Sequence, residues 1–463
     1  MEKDIIAGLV NRARIAMDDF SSASQERVDE AVTAVAWSIY EPTRAHELSE
    51  LAVETTGLGN VESKVLKNTR KTFGCLRDLL RVKSVGVIAD IPEKGLVKYA
   101  KPVGVVGAVT PSTNPSATPV NKAMLALKGR NSVIIAPSPS GLKASAKTVE
   151  YMREGLEKIG LPADLVQILP APISKQLTQE LMYAVDLVVV TGSQNNVKRA
   201  YSSGTPTIGV GAGNVPVVID DTANLSDAAQ KICVSKTFDN ATSCSSENAL
   251  VILDAVYDEA IEALKKAGGY MCNAQEKEKI RDTLWIDGHL NRTIIAKSAG
   301  VFAKGCGLDI SDGAVKFFMV EEDHVDPQSK FSDEKLSLVL TVYRAKNMDE
   351  AVNQLHSILD VCGKGHSVGI HTNCPEHASR LAAEIDVVRV LVNQAHTFGN
   401  GGGFDNGLNF TLSMGGGSWA GNSITDNLNY THFLNITHLV KTIPEDKPSE
   451  DALFGKYWEK YGK

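Results

Sequence analysis

From residue 101 onward the chain repeats one pattern: short, nearly continuous apolar runs separated by amphipathic stretches of helical period. VGVVGAV (103–109), SVIIA (132–136), LVQIL (165–169) and DLVVV (186–190) are dominated by β-branched and aliphatic residues. Between them, segments from about Ser116 to Leu127 and from Lys143 to Glu157 carry apolar residues on one helical face. Strands that keep no polar alternation are buried on both sides, so the pattern specifies a parallel sheet clothed by helices. A second alternation begins after about Asp220. A helix runs through Lys231, followed by ALVIL, helices around Glu259 and Glu276, LVLTVYR, a helix from Asp349 to Leu359, SVGIHT, a helix around His377, and VRVLVN. The expected class is α/β: a doubly wound, Rossmann-type domain over residues 1–220 and a second α/β domain over 221–410.

The remaining segments bracket that core. Residues 1 to about 80 read as helices: Ile5, Ile6, Leu9, Val10, Ala13, Met17 and Phe20 share a face of the first. Ser22-Ala23-Ser24-Gln25 reads as a capping box before a run from Val28 to Tyr40, and Gly57 can close a third helix. VGVIAD and LVKYA flank Pro92-Glu93-Lys94-Gly95 as a hairpin or a pair of edge strands near 85–100. With HFLNITHLV from the C-terminal part (411–463) they form a small β element suited to assembly, since such strands left alone would be exposed edges. A homodimer or homotetramer is the expectation. The glycine clusters at 399–407 and 414–418 add little core and favour close approach to a ligand or a neighbouring subunit.

Several function classes fall away. The net charge of −7, without a basic block, speaks against nucleic acid, and no apolar run approaches the roughly 20 residues that cross a bilayer. The 7 scattered cysteines lack zinc-site spacing and disulfide density, and the 10 histidines are dispersed. Reduced thiols in the cytoplasm and no metal site are expected. There is no Walker loop, HExxH or GxSxG, and in GVGAG (209–213) the third glycine of a dinucleotide fingerprint would fall on Asn214. One thiol stands out: Cys244, in FDNATSCSSENALV (238–251), lies in a Ser- and Asn-rich stretch too polar for an ordinary structural cysteine.

On these segments the chain resembles the aldehyde dehydrogenase superfamily, and within it the acylating, coenzyme A-dependent branch. KPVGVVGAVTPSTNP (101–115) resembles the strand and loop bearing that family's oxyanion asparagine. VVTGS (189–193) resembles the turn beside the nicotinamide, GVGAGNVPVVID (209–220) the linker strand, SCSSENALV the nucleophile segment, and EKLSLVLTVYR (334–344) the glutamate-bearing strand. GKGHS (363–367) and LSMGGGSWAGNS (412–423) are similar to motifs of the acylating branch. The resemblance runs almost end to end and in the family's order. It implies Cys244 as the nucleophile, Asn114 with the Cys244 main-chain N–H as oxyanion donors, and His366 as an active-site histidine. It implies NAD or NADP held by Thr110, Pro111, Ser112, Ser138, Gly192, Ser193, Gly211 and Glu334, with coenzyme A as co-substrate. Serine at 138, where many hydrolytic members carry lysine, leaves NAD against NADP open.

One departure decides the acyl acceptor. Hydrolytic members usually carry a glutamate base opening an ELGGK-type segment, and Val210 stands at that place here. Valine activates no water, so hydrolysis forgoes the roughly 100- to 10,000-fold that a positioned base supplies, and coenzyme A becomes the natural acceptor. The implied reaction oxidises a small aldehyde through a Cys244 thioester to acyl-CoA, reversibly. AHTFGNGGGFDNGLNFTL (395–412) resembles segments of acylating sulfoacetaldehyde dehydrogenases and leans toward that anionic aldehyde. A hydrolytic semialdehyde dehydrogenase and a catalytically silent relative with a binding role are the alternatives.

Overall fold

In the computed structural model, which describes residues 2–310, 313 and 315–463, the two alternating stretches form two separate sheets. The first is five-stranded and wholly parallel. In spatial order its strands are Val166–Ile168, Ser132–Ala136, Val105–Val109, Leu187–Thr191 and Thr207–Val210. The second is seven-stranded: Gly269–Met271, Phe317–Glu321, Val339–Ala345, Glu247–Leu253, Val215–Ile219, Val368–His371 and Val390–Val392. Every residue of Val105–Val109, Ser132–Ala136 and Glu247–Leu253 is buried, as strands covered on both faces require.

The expected linker strand over 209–220 is in fact two strands, one in each sheet. Gly211-Ala212-Gly213 breaks it, and Thr207–Val210 and Val215–Ile219 leave the break in different sheets. The strand Phe317–Glu321, FFMVE, is an addition to the sequence reading. Strand pairs in the third sheet are antiparallel: Gly86–Ile91 on Leu96–Pro102, and Leu96–Pro102 on the C-terminal strand Leu434–Val440. No helix among the described residues is long and apolar enough to cross a membrane.

The helical preface consists of Glu2–Phe20, Gln25–Tyr40, Pro42–Thr56 and Val61–Leu80. Its caps correct one detail. Ser24 alone caps the second helix, accepting from Arg27 N, whereas Ser22 lies outside; the third helix ends as expected on Gly57 in the left-handed region. The fourth helix, Val61–Leu80, is unusual in burying two lysines, Lys64 and Lys67. It also holds Gly74 directly beneath Phe410, where a Cβ would stand 2.3 Å from the ring. Alanine ordinarily favours a helix over glycine by about 1 kcal/mol. Here the overpacking cost of about 1–3 kcal/mol is larger. Gly74→Ala is therefore expected to lower the thermal unfolding midpoint, and a rise would refute this packing.

Candidate active site

The five-stranded sheet begins on its middle strand. From Val105–Val109 the chain winds outward through Ser132–Ala136 to Val166–Ile168, then returns to the opposite side with Leu187–Thr191 and Thr207–Val210. The two directions diverge between Val105–Val109 and Leu187–Thr191, and the carboxyl ends of the strands flanking such a divergence open a crevice for ligands. Thr110, Pro111 and Ser112 follow the first of these strands, Gly192 and Ser193 the second, Ser138 the neighbouring Ser132–Ala136 and Gly211 the edge strand. The structure thus brings all these predicted cofactor residues to one end of one sheet. Thr110 Oγ1 is buried without a hydrogen-bond partner there, an acceptor or donor left for a ligand. Ser193 instead caps the helix Gln194–Tyr201, and Ser138 Oγ accepts from Gly141 N at 3.2 Å, so both hydroxyl oxygens already serve their own turns. Lys122 is fully buried below the crevice and donates to the carbonyls of Val109 (2.6 Å) and Val189 (2.9 Å), locking the two diverging strands together.

Cys244 lies in the turn between the helix Leu225–Thr237 and the strand Glu247–Leu253. The chain reaches it through Asp239, Asn240 and Ala241, all with positive φ (51°, 52° and 62°). Non-glycine residues in this region are costly unless their surroundings hold them there. Asp239 supplies the hold. Its carboxylate accepts from Asn60 N (3.0 Å), Lys64 Nζ (3.1 Å), Lys67 Nζ (2.5 Å) and Thr242 Oγ1 (2.7 Å). Burial alone would raise this carboxyl, but Lys67 and Lys64 outweigh it and keep Asp239 below the usual carboxylate range.

Lys67 also reaches Asn114, donating to its Oδ1 at 2.8 Å. This fixes which end of the amide is engaged: the oxygen faces the ammonium, and Nδ2 makes only a long 3.4 Å contact with Thr113 Oγ1. An N–H therefore remains to donate elsewhere. Asn114 and the Cys244 loop are tied to a single ammonium, and among the described residues the Cys244 N–H donates to no carbonyl. Cys244 keeps part of its surface open although densely surrounded. Burial, with Glu334 beside it, pushes its thiol up to about 12, while Arg389 pulls the other way.

His366 is buried on the other side of the loop. A Cβ on Gly213 would stand 2.3 Å from the Cys244 carbonyl oxygen and 3.1 Å from the His366 ring, so only glycine lets these three segments meet. His366 Nδ1 is 2.8 Å from Ser367 Oγ, Nε2 has no partner, and burial, helped by Arg389, holds the ring neutral. Glu334 is close enough to Cys244 for its charge to act there, and burial pushes it up to about 8. It lies in the loop before the strand Val339–Ala345 and is not a solvated strand-edge charge. Val210 is buried at the end of its strand. A cleft of about 270 Å3 lies alongside, lined by Gly211, Cys362, His366, Met414, Trp419 and Ala420 among others.

Lys64, Lys67 and Asp239 escape the sequence reading, although a signal exists. Lys64, Lys67, Arg70 and Lys71 recur at helical spacing on a segment whose buried face includes Asn68, Thr72 and Cys75, so the cations point inward with the core.

Comparison with known proteins gives the family. The model of the aldehyde dehydrogenase family matches residues 2–275. An acylating sulfoacetaldehyde dehydrogenase of Cupriavidus necator is 50% identical over 461 residues, covering 99% of this chain and 94% of that protein. The crystal structure of an acetylating aldehyde dehydrogenase from Geobacillus thermoglucosidasius superposes with a TM-score of 0.93 at 35% identity, covering 97% of this chain and 98% of that one. A propionaldehyde dehydrogenase of Rhodopseudomonas palustris, solved with bound CoA and an acylated cysteine, matches at TM-score 0.84 and 26% identity over 94% of this chain and 97% of that one. The chain belongs to the aldehyde dehydrogenase family.

Proposed function

We propose that this chain is an acylating aldehyde dehydrogenase that oxidises sulfoacetaldehyde, or a similarly short anionic aldehyde, with NAD(P) and transfers the acyl group from Cys244 to coenzyme A. The observation that carries the site is that Lys67 ties the Asn114 amide oxygen to the Asp239–Thr242 turn leading into Cys244, which leaves Asn114 Nδ2 available. The Cys244 thiol gives up its proton to solvent at its open face, the sulfur adds to the aldehyde carbon, and the carbonyl π electrons move to oxygen. Asn114 Nδ2 and the Cys244 N–H stabilise that alkoxide. Bound in the crevice above Thr110 and Gly192, NAD(P) supplies the hydride acceptor for the same carbon. The alkoxide then reforms C=O, leaving a thioester on Cys244. The coenzyme A sulfur attacks this carbonyl, the carbon–Cys244 bond breaks, and acyl-CoA leaves. We assign the incoming thiol's proton to His366 Nε2, which is uncharged and has no partner among the described residues.

Support for acylation over hydrolysis comes from Val210, which offers no base, and from the names of the relatives. A hydrolytic reading would have to use Glu334, the carboxyl whose charge reaches Cys244. That group is raised by burial to about 8, hence largely protonated at neutral pH. The deciding measurement follows reduced cofactor with and without coenzyme A. Without it we expect a burst of about one equivalent per site and then arrest; with it, sustained turnover. Equal steady turnover in both would establish hydrolysis. The seven free cysteines suit a cytoplasmic setting, and the largely exposed strand Leu434–Val440 suits a homo-oligomer that pairs it with a second copy.

A further inference from the structure

The helix that carries Lys67 presents two further cations one turn onward, and neither has an anionic partner. Among the described residues Arg70 makes no hydrogen bond or ion pair. Its Nη1 is buried, and its guanidinium stands 5.6, 5.1 and 5.3 Å from the rings of Phe398, Phe404 and Phe410. Asp405, the carboxylate whose charge reaches it, is beyond ion-pair distance. Lys71 donates only to main-chain carbonyls, Gly401 at 2.7 Å and Gly402 at 3.5 Å. It lies close enough to Cys244 for a thiolate there to favour its charge, whereas burial, Arg70 and Lys67 disfavour it and bring it down to about 7. Gly401 belongs to this arrangement, since a Cβ there would stand 2.8 Å from Lys71 Nζ.

An uncompensated pair of cations with a buried face is costly unless an anion completes it. Asp239 is already shared by Lys64 and Lys67 and cannot serve. Phe398 packs on Phe238 at 4.7 Å, immediately before the Asp239 turn, so the Arg70 wall is continuous with the loop that ends at Cys244. One helical turn, about 5–6 Å along the axis, separates Lys71 from Lys67, which holds Asn114. Lys71 is thus one turn from the lysine that holds Asn114 and close enough to Cys244 to feel its charge, the spacing expected for a group a few atoms from the reacting carbonyl.

We propose that Arg70 and Lys71 are the specificity-determining residues that receive the sulfonate or carboxylate of a short aldehyde. The aromatic rings keep Arg70 in place and shield the contact from water. This assignment rests on the reading of the site given above and deepens it.

The test compares kcat/KM for sulfoacetaldehyde, succinate semialdehyde and propionaldehyde in the wild type, Arg70→Met, Lys71→Met and Arg70→Lys. A charge-assisted hydrogen bond lost at one end corresponds to about a 10- to 100-fold effect. The ratio of sulfoacetaldehyde to propionaldehyde is expected to fall by that factor in either methionine variant, mainly through KM, and to recover partly in Arg70→Lys. Relative activity on succinate semialdehyde tells a sulfonate pocket from a longer carboxylate pocket. A second readout needs no turnover: ethanesulfonate should slow alkylation of Cys244 by iodoacetamide in the wild type and lose that effect in the methionine variants. An unchanged ratio with unchanged protection overturns the assignment, as does a wild type that ethanesulfonate leaves unprotected. A wild type that protects Cys244 but oxidises no aldehyde would instead overturn the functional reading and leave an anion site.

Discussion

Replacing Cys244 by alanine is expected to abolish both the burst of reduced cofactor and sustained acyl-CoA formation, a loss of about 10^5-fold or more. Nucleophiles acting within a constellation carry losses of this order, because the oxyanion donors that remain have nothing covalent to stabilise. The control is Cys75→Ala. Cys75 is buried inside the helix Val61–Leu80, accepts from Asn121 Nδ2 at 3.3 Å, and is raised by burial to about 12, as Cys244 is. The two thiols thus share a pKa and differ in surroundings. Cys244 has part of its surface open and an amide N–H beside its loop; Cys75 has neither an opening nor a crevice. A raised thiol pKa does not argue against nucleophilicity. It says that the thiolate forms only when substrate, cofactor or a neighbouring cation changes the local field. Rapid mixing of aldehyde and NAD(P) with each variant reads the result directly. A normal burst in Cys244→Ala would remove the thioester from the mechanism.

The sequence made the sheets legible because burial on both faces erases alternation, and VVGAV, SVIIA and LVVV leave no other way to satisfy their backbones than a covered parallel sheet. It did not show where the linker over 209–220 divides. Apolar content there continues through Gly211-Ala212-Gly213, and only the three-dimensional requirement that Gly213 pass close to Cys244 and His366 explains the break. FFMVE was missed for a different reason: five residues with two aromatic rings suit a strand or a buried helical turn equally. For the site, Cys244 stood out through its polar surroundings, and Asn114 through the resemblance of KPVGVVGAVTPSTNP to the family's oxyanion loop. Lys67 and Asp239 did not, because they lie 172 positions apart, and a buried lysine looks in sequence like any solvated one. The same blindness hid Arg70, whose meaning comes from the lack of an anionic partner among the described residues.

Asn114→Ala is expected to reduce kcat by about 10^2- to 10^3-fold, roughly 3 kcal/mol of transition-state stabilisation, with a smaller change in KM. The aldehyde oxygen gains its charge only as sulfur adds, so a neutral donor aimed there acts on the transition state more than on binding. Asn114→Asp separates donation from shape. The carboxylate would keep the size and pair with Lys67, yet would offer only acceptors toward a developing alkoxide, so its loss should match or exceed that of alanine. Lys67→Met tests why the amide is oriented as it is. Without the ammonium, Oδ1 loses its partner and the amide can turn either face to the substrate, while Asp239 loses one of two balancing charges. Alone it should slow turnover about tenfold or more, but in an Asn114→Ala background the part of that loss acting through the amide should vanish. Rate constants for the burst in the two single variants and the double variant give this coupling. Strict additivity would mean that Lys67 serves only the Asp239 turn and that the amide needs no help to face its substrate.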